Sequence, residues 1–379
     1  MDTTSKTKSK FDLQRSTFRD PAWILRNTAK YIQSIAPWEV NICEASVTFD
    51  TEVEVLCTYS WSHQGSKDNP VIYVPGFPKK WALPQLPVQL RPSGDNFIDA
   101  HAYSRHTQQF EPAFQALMLM NSDARFTDVD ILTNRNNLLT LLGFVSCERS
   151  DQFGLNLHIV AYRTSPLGPA FEERFTTALN GMANTYYRVV RYRFGNLNMV
   201  VRHETDAFCE TPDTVFEELF RGIDIPDDSQ AKIQIPILHE SATAVFARGT
   251  LIPQRQVAEL KTSRRAKTIS QCWIGRTPNL CISKHEKGLV TEAEMKNVWG
   301  ECVQWETDQQ RNLRRLAGLL KQIQVVMGSV QSGRGVLVRK ERQAPLQIFE
   351  GKLGVDDGLP IQITTQFWQC DGGDTNRIG

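Results

Sequence analysis

No stretch of this chain reaches the ~18 consecutive apolar residues of a membrane span, so no membrane partner is expected. Met1 to Lys10 is polar and has no apolar centre, which does not read as a secretory signal. The eight cysteines (Cys43, Cys57, Cys147, Cys209, Cys272, Cys281, Cys302 and Cys370) include no CxxC pair, which argues against structural zinc and against a disulfide framework. A reduced, cytoplasmic protein is the simplest placement. Charge of one sign is also missing. The net charge is +1, so there is no global field to draw in nucleic acid, and DNA is not an expected partner. Any RNA contact must come from a local patch. Walker loops, Gly-x-Ser-x-Gly elbows and His-x-x-x-His pairs are absent, which leaves little room for an ATP site, a serine hydrolase or a zinc hydrolase.

What is present is the patterning of a packed α+β chain. Residues 1–20 read as a disordered leader, 21–355 as one α+β domain and 356–379 as a tail. Within the domain, 21–165 reads as an N-terminal elaboration and 166–340 as a core with an insertion at about 208–241. Helical spacing is expected over Ala22–Ile35, Glu111–Met120, Leu138–Val145, Phe171–Met182, Ser270–Ile274 and Leu313–Met327. Strands are expected at Glu39–Cys43, Val53–Ser60, Val71–Val74, Val129–Leu132 and Leu155–Tyr162. Tyr187–Phe194 and Leu197–His203 read as a hairpin turning at Gly195-Asn196. Ala242–Arg248 and Gln256–Thr262 read as a further strand pair, and Asn279–Ser283 as another strand. The core order is helix, three strands, helix, strand. That is the order of a restriction-endonuclease-like (PD-(D/E)XK) mixed sheet flanked by helices.

The chemistry concentrates in two acidic groups, Glu204-Thr205-Asp206 and Glu259-Leu260-Lys261, each at the end of an apolar run. Residues two apart on a strand share a face. Glu204 with Asp206, and Glu259 with Lys261, can therefore point into one site. Three carboxylates suit a hard divalent cation, and a lysine steadies a phosphate. The same alternation also describes a half-exposed strand. Lys261, Arg264, Arg265 and Lys267 form the densest basic patch, the kind phosphate contacts need, and Arg276 lies just beyond it. Arg191 and Arg193 share a strand face, suited to tracking a phosphate backbone or to pairing with acidic neighbours. His203 borders the acidic group.

The Glu204–Asp206 and Glu259–Ser263 motifs, with Gln271–Leu280, resemble the decapping nucleases that remove faulty messenger-RNA caps. That resemblance implies Glu204, Asp206 and Glu259 as ligands of Mg2+ or Mn2+, Lys261 beside the phosphate, and Glu172 or Glu173 as a fourth acid. The insertion at about 208–241 departs from the family. At whole-chain level, Val71–Gly76, Phe110–Leu117, Asp128–Thr133 and Arg191–Leu197 resemble a fungal family that includes arginine-containing cyclodipeptide synthases. This implies secondary-metabolite synthesis of a cyclo-Arg-Xaa product from arginyl-tRNA and a second aminoacyl-tRNA, with no cofactor. In that reading Glu204, Asp206, Glu259 and Lys261 are catalytic; one carboxylate forks the substrate guanidinium and another takes a proton from the attacking amine. The synthase is the first expectation, a metal-dependent decapping or RNA 5′-end nuclease the second, and a non-catalytic RNA-binding protein the third.

Overall fold

A computed structural model describes residues 25–49, 52–62, 69–91, 108–146, 153–156, 168–177, 185–210, 241, 243–262, 267–340, 344–352 and 359–368. Three sheets organise them. The central one has six strands in the order Ala244–Gly249, Val71–Gly76, Glu54–Trp61, Thr185–Phe194, Leu197–Glu204 and Ile131–Asn134. The hairpin at Gly195 forms as the sequence suggests, with Leu197 opposite Phe194 and Glu204 opposite Tyr187. Gly195 takes a φ of 60°, the left-handed conformation such a turn demands. Ile131–Asn134 then runs parallel to Met199–Arg202 at the sheet edge.

Alternation decides which way the strands face. Met199 and Val201 enter a core with helices Arg135–Val145, Thr268–Gly275 and Trp299–Gly328. Val200 enters a second core, which contains Phe114 and Leu117 of helix Glu111–Met120 and Ile363 and Phe367 of helix Ile361–Trp368. Burial on both faces explains why Leu197–His203 reads as a nearly continuous apolar run. A seven-stranded sheet follows the order Val88–Gln89, Leu289–Asn297, Asn279–Glu286, Val257–Lys261, Ala207–Phe208, Lys79–Trp81 and Thr176–Thr177. The chain passes from the central sheet into this one through Thr205-Asp206. That junction brings Glu204 and Asp206 alongside Glu259.

Several expectations are corrected. The helix expected over Ala22–Ile35 is, from Thr28 to Ile35, a strand paired with Leu346–Gly351. Tertiary pairing overrides the helical spacing, since only Ile32 and Ile35 pack against the core there while Tyr31 lies on Phe349. Glu39–Cys43 is irregular instead of a strand and follows a short turn of helix at Pro37–Glu39. Its carbonyls are held by the long helix: Arg314 donates to the Cys43 oxygen (2.6 Å) and Gln322 to that of Glu39 (3.3 Å). Ala244–Gly249 and Val257–Lys261 do not pair with each other. The first runs parallel to Val71–Gly76, the second between Ala207–Phe208 and Asn279–Ile282. The helix expected over Phe171–Met182 is Gly168–Arg174, with a short strand at Thr176–Thr177. Residues 1–20, most of the expected insertion, and the Tyr162 end of the Leu155 strand lie outside the described residues.

Candidate functional site

Glu204 closes the Leu197–Glu204 strand, Asp206 follows it by two, and Glu259 and Lys261 lie in the Val257–Lys261 strand. Helix Gly168–Arg174 packs against that strand and supplies Glu172. The four residues read as the acidic centre therefore come together. Of the two glutamates considered as a fourth acid, Glu172 faces the cluster and Glu173 is exposed.

The pairing inside the cluster is uneven. Lys261 Nζ lies 2.6 Å from Glu259 Oε1 and 3.3 Å from Asp206 Oδ2, with its side chain a quarter exposed. Asp206 Oδ2 also accepts the Leu260 amide at 2.8 Å. Glu259, 1% exposed, is forked by a residue that the motif does not contain. Arg135 Nη1 donates to Oε2 at 2.8 Å and Nη2 to Oε1 at 3.2 Å. Sequence reasoning missed Arg135. It opens a helix far upstream, beside no other charged residue, and nothing local marks it.

The electrostatics follow from these partners. Burial alone would raise the Glu259 carboxyl, but Arg135 and then Lys261 outweigh it and hold it at about 2. Burial pushes Asp206 up to about 6, helped by the negative charge of Glu259. Glu172 is raised well above the usual range by burial, then by Asp206 and Glu204. Burial and Arg135 lower His203 to about 3, so it is a neutral imidazole facing the helix core. Among the described residues, no group of three or more His, Cys, Asp or Glu side chains stands where it could hold a metal ion. Two of the clustered carboxylates, Glu172 and Asp206, have raised proton affinity and so are short of positive charge, and carboxylate oxygens are the donor type a hard divalent cation takes.

The expected RNA-binding residues scatter. Arg191 pairs with Glu54 at 3.5 Å and donates to the Arg125 carbonyl at 2.6 Å, the acidic-neighbour alternative of the sequence reading. Arg193 is exposed. In register they lie beside Val200 and Asn198, roughly 13 and 20 Å along the strand from Glu204 at ~3.3 Å per residue. Arg276 is buried among Phe49, Tyr192 and Trp273, with ring centroids 4.6, 4.2 and 4.5 Å from its guanidinium carbon. It is a core cation and not a surface one. Lys267 is exposed just before helix Thr268–Gly275, while Arg264 and Arg265 lie outside the described residues.

A mixed sheet with clustered E-x-D and E-x-K acids at its strand ends, flanked by helices, defines the PD-(D/E)XK-like class. The chain belongs to the family described as a domain of unknown function, DUF8563, whose model matches residues 30–368. No curated protein matches the sequence. The fold is that of Rai1. Rai1 from S. pombe is 12% identical with a TM-score of 0.53, over 85% of this chain and 99% of that one. Rai1 from Scheffersomyces stipitis is 11% identical with a TM-score of 0.53, over 88% and 97%. Candida albicans Rai1, in complex with pU5-Mn2+, is 11% identical with a TM-score of 0.50, over 88% and 98%.

These findings overturn the first expectation. The neighbours spanning most of the chain are Rai1 proteins, and none of the findings supports cyclodipeptide synthesis, secondary metabolism, or arginyl-tRNA and a second aminoacyl-tRNA as partners. The site rules on one of the four residues read as catalytic, Glu259. The carboxylate with bidentate geometry, Glu259, is already forked by the chain's own Arg135, so it has no edge left for a substrate guanidinium. Held near 2, it is also too weak a base to deprotonate an amine. Among the described residues no helix is long and apolar enough to cross a membrane.

Proposed function

We propose that this protein is a metal-dependent hydrolase acting on RNA 5′ ends, of the decapping type. The observation that carries the reading is the convergence of Glu172, Glu204, Asp206, Glu259 and Lys261 at the seam between two sheets of a Rai1-like fold. Glu172, Glu204 and Asp206 would hold a Mg2+ or Mn2+ ion. The ion would acidify a bound water and offset charge on a phosphate. Lys261, anchored on Asp206 and Glu259 yet a quarter exposed, can reach a non-bridging phosphate oxygen. The Leu260 amide and the Lys261 ammonium both hold Oδ2 of Asp206 and so fix its carboxylate. S. pombe Rai1 has been seen with 3′-FADP and the Candida albicans protein with pU5 and Mn2+, which favours a nucleotide-capped or 5′-phosphorylated RNA end as substrate.

The test is incubation of the purified chain with short RNAs carrying a 5′-monophosphate, a 5′-triphosphate, a guanosine cap or a dinucleotide cap, with Mn2+ or Mg2+. Cleavage at or next to the 5′ end that is abolished by EDTA and by Asp206→Asn is expected. Folded protein that leaves all four RNAs intact with either metal would sink the proposal.

A further inference from the structure

Arg202 is a buried cation that the acidic centre does not explain. It lies two residues before Glu204 in the same strand, so both stand on one face, roughly 7 Å apart along the strand at ~3.3 Å per residue. That face is the one Val200 presents to the core beneath helix Glu111–Met120. Arg202 is 7% exposed, yet among the described residues no carboxylate pairs with it. Its partners are neutral acceptors. Nε donates to Asn134 Oδ1 at 2.8 Å, and Nη1 to the Tyr59 hydroxyl at 3.3 Å and to the Gln109 carbonyl. Nη2 donates to no described residue. The Phe110 and Tyr187 rings, with centroids 4.8 and 5.4 Å from the guanidinium carbon, flank it. Tyr187 stands opposite Glu204 in the hairpin, which ties the guanidinium to the acidic centre. Glu111, next to Phe110, turns instead to Gln115, Ser241 and Thr243.

A buried charge is costly unless an opposite charge meets it, and the chain supplies Arg202 with none. Arg188 likewise has only neutral acceptors, but it stands opposite His203 on the other face of the sheet, with its Nη2 enclosed. We propose that Arg202 is the receptor for a phosphate of the RNA 5′ end, bound through Nη2 without metal, and that it selects phosphorylated ends over 5′-hydroxyl ends. The inference rests on the RNA 5′-end substrate proposed above and adds the residue that recognises it. A phosphate supplies the missing negative charge, and a guanidinium held in one plane suits its oxygens.

The experiment measures binding of short RNAs, labelled at the 3′ end and carrying a 5′-monophosphate or a 5′-hydroxyl, to the full chain in EDTA by fluorescence anisotropy. The wild-type protein is expected to bind the phosphorylated RNA at least about 10-fold more tightly, the worth of a hydrogen bond to a charged group. Arg202→Gln is expected to lose that preference while binding the 5′-hydroxyl RNA as the wild type does. Asn134→Asp gives Arg202 a carboxylate inside the chain and is expected to lose the preference too. Asn134 is the N-cap of helix Arg135–Val145, a position aspartate fills equally well, so this variant decides the matter if Arg202→Gln fails to fold. A wild type without preference, a preference kept by either folded variant, or an equal weakening for both RNAs overturns the inference. A preference that depends on Arg202, in a chain that cleaves none of the RNAs with Mn2+ or Mg2+, sinks the hydrolase reading and leaves the phosphate receptor standing.

Discussion

At the scale of single residues, the buried charges divide into those that set chemistry and those that set stability. His203 belongs to the second group. Its folded proton affinity is depressed to about 3, so the unfolded chain binds the extra proton between that value and the ordinary imidazole value of 6.5. Stability from a neutral His203 is thus full above pH 6.5 and is lost as pH falls through that window. Asp206 has the opposite sign. Raised to about 6, it favours the folded state at low pH, and that contribution is lost as pH rises from 3.8 towards 6. The stability difference between wild type and His203→Gln should therefore shrink by roughly 1 kcal/mol per pH unit between pH 6 and 4, measured by urea unfolding. A constant difference would mean that His203 titrates normally. Arg276 is a purely structural cation: with three aromatic faces at about 1 kcal/mol each, Arg276→Ala should cost roughly 3 kcal/mol and leave Mn2+ affinity unchanged. The sequence shows Glu204, Asp206, Glu259 and Lys261 because strand alternation is a local rule. It hides Arg135 because an ion pair across 124 residues leaves no local trace, and it offers Arg276 as a phosphate contact because burial is not a property of a basic residue's neighbours in the chain.

At the scale of elements, the strands around the Gly195 hairpin are legible and the N-terminal segment is not. Thr28–Ile35 has helical spacing by accident of composition, and only its partner Leu346–Gly351, more than 300 residues away, decides the matter. The long helix Trp299–Gly328 shows the same dependence on partners. Its second half advertises an apolar stripe through Leu313, Leu316, Leu320 and Ile323, while its first half carries charged and polar residues and announces itself poorly. Gly318 in the middle of this helix is where the Pro37–Cys43 segment crosses. A Cβ there would meet the Asn41 carbonyl oxygen well inside contact distance. In an open helix, glycine to alanine gains up to about 1 kcal/mol. Here the overlap with backbone should reverse the sign, and Gly318→Ala is expected to destabilise by roughly 1–3 kcal/mol. The loss would include the hydrogen bond that the Asn41 amide donates to Gln322 Oε1 and the one that Arg314 donates to the Cys43 oxygen, which hold the crossing segment. Thermal unfolding of the variant checks it, and a higher melting temperature would show that the segment gives way freely.

At the scale of the whole molecule, the acidic centre is a joint. Glu204 ends a strand of the central sheet, Asp206 sits in the passage between sheets, Glu259 and Lys261 belong to the seven-stranded sheet, and Glu172 comes from a helix packed on it. An ion held there, as the proposed function requires, would tie two sheets and a helix together, so its binding energy would become resistance to global unfolding. At 100-fold above its dissociation constant a single ion stabilises by about 2.7 kcal/mol, which in a chain of this size raises the melting temperature by several degrees. The effect must depend on pH. Asp206 and Glu172 have raised proton affinities, and a cation must expel those protons to bind. Mn2+ should therefore raise the melting temperature clearly at pH 7.5 and far less at pH 5, with protons released on binding at the lower pH. Asp206→Asn should remove the shift at both values. A shift equal at the two pH values, or one retained by Asp206→Asn, would place the ion away from this joint and leave the carboxylates as a structural seam between the sheets.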